Sequence, residues 1–241
     1  MSVGKKEILL GDCLELMKNI ESKSINFVCI DPPYVLDNHK GANGHDANVN
    51  LGNGHIYFIS SGFDIEKVFA EIERVCFPLN LVCFCSNKQI SKVMGYWENK
   101  GYSTTLLIWH KLDPIPLNGG KYVSDAEFMI YVRGLKVTYN NIGVKEQSKI
   151  FAFNTASKNN RLHPTQKPLN LIRKLLMIHT KPSDIVLDCF AGSGTTAEAC
   201  LMENRQFIMI EKDPNYFEKI KKRVGDFNKN FEPQTLFENE M

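Results

Sequence analysis

The sequence predicts an α/β protein, a mostly parallel seven-stranded sheet with helices on both faces. Three observations predict it. Strand-length apolar runs alternate with helix-patterned segments along the chain, the pattern of parallel strands joined by helical crossovers. Seven such runs occur, which suits one doubly wound sheet. A chain of 241 residues, 43% apolar and 23% charged, can bury a full core and is ordinary for a single α/β domain.

In chain order, Glu7–Leu10 reads as the first strand and Cys13–Asn19 as the helix behind it. The apolar run Asn26–Ile30 is the second strand. A helix at Ile65–Cys76 precedes the strand Asn80–Cys85, and a helix at Lys88–Lys100 precedes the strand Thr104–Trp109. Glu127–Val132 is the fifth strand. The helix Pro168–Thr180 leads to the strand Ile185–Asp188, and the helix Thr195–Glu203 leads to the strand Phe207–Glu211. Pro214–Phe227 is the last helix, with Asp213 as its N-cap and proline at the first helical position. Two stretches carry no such pattern: Val35–Gly62, rich in Asn, Gly and His, and Gly134–Asn160, rich in Asn, Lys and Ser. Loops of this length in one domain are functional or disordered. Residues 228–241 read as a loose polar tail, so residues 1–241 are taken as one domain with two long loops.

Composition narrows the class of protein. There is no run of eighteen apolar residues, and the opening segment MSVGKKEILLGDC reaches acidic residues before an export signal could form. The expectation is a soluble, cytoplasmic protein without a membrane partner. Seven cysteines, an odd number lying mostly in apolar segments, suit buried free thiols in a reducing compartment. Cys83 and Cys85 form a lone C-x-C pair without a second pair at ligand spacing, so they read as strand residues and no metal is expected. The net charge of +2 is too small to announce a polyanion partner. Its distribution is uneven, however. The run from Lys158 to Lys181 holds Lys167, Arg173 and Lys174 without an acidic residue, and is expected to offer phosphate contacts. Lys219, Lys221, Lys222 and Arg223 read as one solvated helix face.

Two motifs carry chemistry. The first is Asp184-Ile-Val-Leu-Asp-Cys-Phe-Ala-Gly-Ser-Gly-Thr-Thr196, a strand running through a glycine-rich turn into a helix. Gly192 and Gly194 let backbone approach a ligand, and the helix start offers N–H groups to a carboxylate. By itself this is a turn found in many α/β proteins. Gly194 is followed by Thr195, Thr196 and Ala197, so the third glycine of a dinucleotide fingerprint is missing. Asp188 before the turn would welcome an amino group, and Glu211 at the end of the next strand can accept both hydroxyls of a ribose. An amino acid joined to a ribose fits this set, and S-adenosylmethionine is such a molecule.

The second motif is Asp31-Pro-Pro-Tyr34, directly after the second strand. It is expected in the same crevice, beyond the carboxyl ends of the strands. Pro32 and Pro33 stiffen the backbone and remove two donors, so the Pro32 carbonyl stands as a rigid acceptor beside the Asp31 carboxylate. Two acceptors suit an amino group on an aromatic ring, whose lone pair must be drawn out of conjugation before it can attack a methyl group. Tyr34 supplies a ring for stacking. Read bare, the four residues are equally well a rigid surface turn.

Together these residues resemble the amino-methyltransferases of DNA, which act on N6 of adenine or N4 of cytosine. The likeness is to the permuted beta-type subgroup, in which the catalytic motif Asp31–Tyr34 precedes the cofactor motif Asp188–Thr196. His163-Pro-Thr-Gln-Lys-Pro168 is similar to a third family signature. The resemblance implies a circularly permuted, Rossmann-like class I methyltransferase fold. S-adenosylmethionine is then the cofactor, S-adenosylhomocysteine the product and double-stranded DNA the substrate. It further implies that Thr165 and Lys167 hold the methionine carboxylate, that Phe190 lines the pocket and that Asp12 receives the adenine amine of the cofactor. Cys13, Ala191, Ser193, Thr195, Thr196 and Lys212 complete that cofactor set. Trp109-His-Lys111 and Asp125-Ala-Glu127 also look like family markers, without assigned chemistry.

Asp at position 31 points to adenine by family habit. N4-cytosine is the alternative within the family, and a catalytically silent DNA-binding or cofactor-sensing subunit the alternative outside it. Cytosine C5 chemistry is set aside, since no Pro-Cys pair occurs. Family membership would also bring a cognate restriction endonuclease and a homodimer as partners. Val35–Gly62 is expected to close over a base flipped out of the duplex, and Gly134–Asn160 to be a small target-recognition region.

Overall fold

In the computed structural model the described residues are 5–33, 64–114, 122–156 and 165–230. They form eight strands and six helices: β1 (Lys6–Leu10), α1 (Cys13–Met17), β2 (Phe27–Ile30), α2 (Ile65–Val75), β3 (Asn80–Cys85), α3 (Ile90–Glu98), β4 (Ser103–Lys111), β5 (Ala126–Arg133), β6 (Ile150–Phe153), α4 (Leu169–His179), β7 (Ile185–Asp188), α5 (Thr195–Met202), β8 (Gln206–Glu211) and α6 (Pro214–Asn230). The strands make a single sheet in the order β1-β8-β7-β2-β3-β5-β4-β6. β1, β8, β7, β2 and β3 are mutually parallel, β5 runs antiparallel to β3 and β4, and β6 is parallel to β4.

Alternation along the strands divides the core into two layers. Val28, Ile30, Leu81, Cys83 and Cys85 face Met17 of α1, Phe69 and Ile72 of α2, and Trp97 of α3. Phe27, Cys29, Val82, Phe84 and Met129 face Leu171 and Leu175 of α4, Cys200 of α5 and Ile220 of α6. Each large apolar side chain so buried contributes about 1.5–3 kcal/mol relative to exposure. All seven cysteines are free and buried, as their apolar settings predict. The helices start where local chemistry directs. Asp64 accepts from the backbone N–H of Glu66 at 3.1 Å and Lys67 at 3.4 Å ahead of α2. Asp213 caps α6 by accepting from Asn215 N–H at 2.7 Å and Tyr216 N–H at 3.3 Å.

Three expectations need correction. The sheet has an eighth strand, β6, inside the stretch expected to be a loop. It is four residues long and lies at the sheet edge, and only Phe151 is fully buried, which leaves little periodic signal. α6 continues to Asn230, into the stretch from residue 228 expected to be a tail. The basic run is largely spent inside the protein. Arg173 is buried and bonded to Glu203 at 2.7 Å, Lys174 pairs with Glu146 at 2.8 Å, and Lys167 is buried among carboxylates. Lys158 and Arg161 lie outside the described residues, as does the whole of Val35–Gly62.

Phe151 anchors β6 against the second core layer, so Phe151→Ala is expected to cost about 3–5 kcal/mol. The exposed neighbour substitution Ile150→Ala should change stability by less than about 0.5 kcal/mol. Urea midpoints measure both, and equal effects would mean that β6 adds nothing to the core.

Candidate active site

Parallel strands all end on one edge, and four adjacent strands here end in a carboxylate. β1 is followed by Asp12, β8 ends in Glu211, β7 ends in Asp188 and β2 is followed by Asp31. With about 4.8 Å between neighbouring strands, the row spans roughly 14 Å. Register staggers the row: Leu10 pairs with Glu211 while Asp188 pairs with Met209, and the Gly11 N–H donates to the Glu211 carbonyl at 2.9 Å. The sequence-predicted residues Asp12, Cys13, Asp31, Pro32, Pro33, Asp188–Thr196, Glu211 and Lys212 are thereby brought to one edge.

The glycine-rich turn is built around the two central carboxylates. Asp188 accepts from the Phe190 N–H at 3.0 Å and from the Thr196 hydroxyl at 2.6 Å. Glu211 accepts from the Gly192 N–H at 2.7 Å and the Asp213 N–H at 2.8 Å. Both glycines have left-handed backbones, with φ of +52° at Gly192 and +76° at Gly194. Their surroundings differ. A Cβ at Gly194 would lie 3.0 Å from Ile220, so this glycine lets α6 pack onto the turn. A Cβ at Gly192 would meet only the Phe190 carbonyl, at 3.8 Å, which leaves this part of the turn accessible. Arg223 of α6 clamps the turn by donating to the Ser193 carbonyl at 2.8 Å and pairing with Glu198. Arg223 was grouped with a solvated face; its role becomes visible only when α6 is placed beside α5.

Among the described residues neither Asp188 nor Glu211 makes an ion pair. Burial pushes the Asp188 carboxyl up to about 7, against the bonds from Thr196 and Phe190, with the charges of Asp31 and Glu211 adding to the rise. Burial also raises the Glu211 carboxyl. Asp12 differs: it caps Leu14 at 3.0 Å and meets Lys212 at 3.2 Å. A buried and a half-buried acid lacking a cation among the described residues, beside the open turn at Gly192, fit a ligand with a cationic amine and hydroxyl groups.

Asp31 is met by Lys167, whose ammonium lies 2.5 Å from Oδ2. The resemblance puts Lys167 on a carboxylate of the cofactor; in this structure its ammonium lies against Asp31 and Glu127. Thr165 is exposed and Phe190 half-buried against the first core layer. Tyr34 and His163 lie outside the described residues.

The family model for DNA methylases of the N6/N4 methyltransferase group matches residues 25–222. The chain belongs to this family. The methylase is 28% identical to the Type II methyltransferase M.HinfI of Haemophilus influenzae, over 92% of this chain and 69% of that protein. It is 27% identical to M2.MboI of Moraxella bovis, over 91% of this chain and 87% of that one. The crystal structure of an M1.HpyAVI–SAM complex superposes with a TM-score of 0.69 at 31% identity, covering 90% of this chain and 98% of that one. The PvuII cytosine-N4-specific DNA methyltransferase shares the fold, with a TM-score of 0.72 at 17% identity over 91% of this chain and 86% of that one. The methylase is an S-adenosylmethionine-dependent DNA methyltransferase of class I fold.

Asp188 supplies a pH signature. An unfolded carboxyl ionises near 3.9, so between about pH 4 and 7 the folded protein without cofactor holds a proton that the unfolded chain has lost. Stability then falls as pH rises, by up to about 1.4 kcal/mol per pH unit, and levels off above pH 7. In urea titrations at pH 5 and pH 8, Asp188→Asn is expected to gain on wild type as pH rises. A constant difference between the two proteins would mean that Asp188 is ionised throughout.

Proposed function

We propose that the methylase transfers the methyl group of S-adenosylmethionine to N6 of adenine in double-stranded DNA, acting on a base turned out of the duplex. The observation that carries the reading is Asp31 at the end of β2, one strand from the buried Asp188. Acceptor and donor sites are therefore neighbours. Asp188 would hold the amino group of the cofactor, Glu211 the ribose, Asp12 the adenine amine, and the Gly192–Thr196 turn the carboxylate. When bound, S-adenosylmethionine supplies an electrophilic methyl group on a sulfonium. Asp31 and the Pro32 carbonyl accept the two N–H bonds of the target amine and draw its lone pair out of the ring. They stabilise the positive charge that develops on nitrogen. The amine becomes acidic only as it gains the methyl group, so Asp31 serves as an electrostatic acceptor more than as a strong base. Tyr34 is assigned to stacking against the base.

Adenine rests on Asp at position 31, by resemblance. Cytosine N4 is the second reading, because the matching family spans N6 and N4 enzymes. The permuted order is supported by β1, which lies parallel to β8 and against α6 as the strand after α6 would in an unpermuted chain. No helix among the described residues is long and apolar enough to cross a membrane. A cytoplasmic location suits the seven free thiols. A cognate restriction endonuclease and a homodimer belong to the reading by likeness to Type II methyltransferases.

Incubation with unmethylated DNA and cofactor, followed by digestion to nucleosides and mass analysis, should yield N6-methyl-2′-deoxyadenosine. Recovery of N4-methyl-2′-deoxycytidine alone would decide for the second reading. Asp31→Ala should lower transfer by roughly 10²–10³-fold, the scale for removing one preorganised polar group. Transfer undiminished in Asp31→Ala would overturn the assignment of Asp31.

A further inference from the structure

Behind Asp31 lies a chain of four alternating charges. The Lys167 ammonium is 2.5 Å from Asp31 Oδ2 and 3.2 Å from Glu127 Oε2, and Glu127 Oε1 is 2.9 Å from the Lys111 ammonium. The contributing strands are consecutive in the sheet: β2 carries Asp31, then come β3, β5 with Glu127, and β4 with Lys111. Because β5 is antiparallel to β3, its first residues reach the edge where the parallel strands end. Glu127 and Lys111 therefore arrive beside Asp31 from opposite ends of their strands.

Lys167 is fixed from a third direction, since its ammonium lies 4.9 Å from the centroid of the buried Phe84 ring on β3. Burial alone would favour the neutral amine, but Asp31 and Glu127 outweigh it and hold Lys167 above the usual lysine range. Burial likewise opposes ionisation of Glu127, yet Lys167 and Lys111 hold its carboxyl below the usual range. Glu127 Oε2 is buried and accepts no aligned hydrogen bond, although the Lys167 ammonium stands beside it. A surface ion pair has no need of such a layer. Placing a half-buried carboxylate with an imperfect bond costs stability, and the return expected is a fixed position for the cation it faces.

We propose that Lys167 is a positioning residue for Asp31 and that Glu127 and Lys111 hold Lys167 in register. This rests on the reading of Asp31 as the acceptor of the target amine. The unit is neutral, with two cations and two anions. It orients the Asp31 carboxylate from behind, and it gives a role to Lys111 and Glu127, whose motifs had no assigned chemistry. The competing role for Lys167 is to hold the cofactor, and the two make different demands on binding and rate.

The test uses the whole chain, S-adenosylmethionine and in vitro amplified DNA without methylated bases. Cofactor affinity is measured by calorimetry, and single-turnover methyl transfer at saturating DNA and cofactor. Lys167→Met should slow transfer by roughly 10²-fold, the scale of an Å-sized misplacement of a reacting group, while cofactor affinity stays within about threefold. Glu127→Gln should slow it by roughly tenfold, as for a supporting shell. The double variant Lys167→Met/Glu127→Gln removes one charge of each sign, guarding against misfolding from a stranded anion, and should be as slow as Lys167→Met. In an Asp31→Asn background Lys167→Met should cause no further loss. Weakened cofactor binding with an unchanged rate at saturation, or a full additional loss in the Asp31→Asn background, would overturn the proposal while leaving the function intact. A wild-type protein that methylates no base would sink the functional reading and this inference with it.

Discussion

A parallel sheet places the carboxyl end of every strand on one edge, and the methylase depends on that constraint. Hydrogen-bond register between β1, β8, β7 and β2 brings four strand ends to the same edge, with Asp188 set two residues behind Glu211. Each end carries an acid, so the backbone ladder converts four residues scattered from Asp12 to Glu211 into a single row. Side-chain contacts such as Asp12–Lys212 and Glu211–Gly192 link neighbouring ends but do not by themselves fix the register. The apolar layers above and below the sheet do so, by making any slip of register turn buried faces outward.

The row is not uniform in its electrostatics. The outer acids have cations, Lys212 for Asp12 and Lys167 for Asp31. Among the described residues the inner acids, Asp188 and Glu211, have only backbone N–H groups and the Thr196 hydroxyl as partners, and both carboxyls are raised by burial. A buried acid without a counter-charge is a cost to the folded chain, and a cationic ligand relieves it. The centre of the site is thus predisposed to a positively charged ligand, while Asp31 already faces the Lys167 ammonium. Division of labour along one sheet edge follows from where the lysines are.

The supporting parts come from elements remote in sequence. Arg223, near the end of the chain, fastens the turn at Ser193, and Gly194 is small because Ile220 of α6 lies against it. The antiparallel strand β5 carries Glu127 to the catalytic edge, which a further parallel strand would not have done with its opening residues. Lys167 reaches Asp31 from a segment that a charge count alone would have put on the surface.

By itself the sequence determined the class of fold, the positions of the long elements to within a few residues and the two chemical motifs. Apolar periodicity over elements such as Asn80–Cys85 and Ile185–Asp188 is strong, and the residues of Asp31–Tyr34 and Asp188–Thr196 are contiguous, so both signals survive without three-dimensional context. β6 was illegible because four edge residues with one buried side chain carry almost no period. The fate of the basic residues was decided only by tertiary structure. Lys167, Arg173 and Lys174 look alike in a string of cations, but their partners Asp31, Glu127, Glu203 and Glu146 stand on other elements. Whether a charge meets solvent or a carboxylate depends on the packing of those elements, and local composition does not encode it.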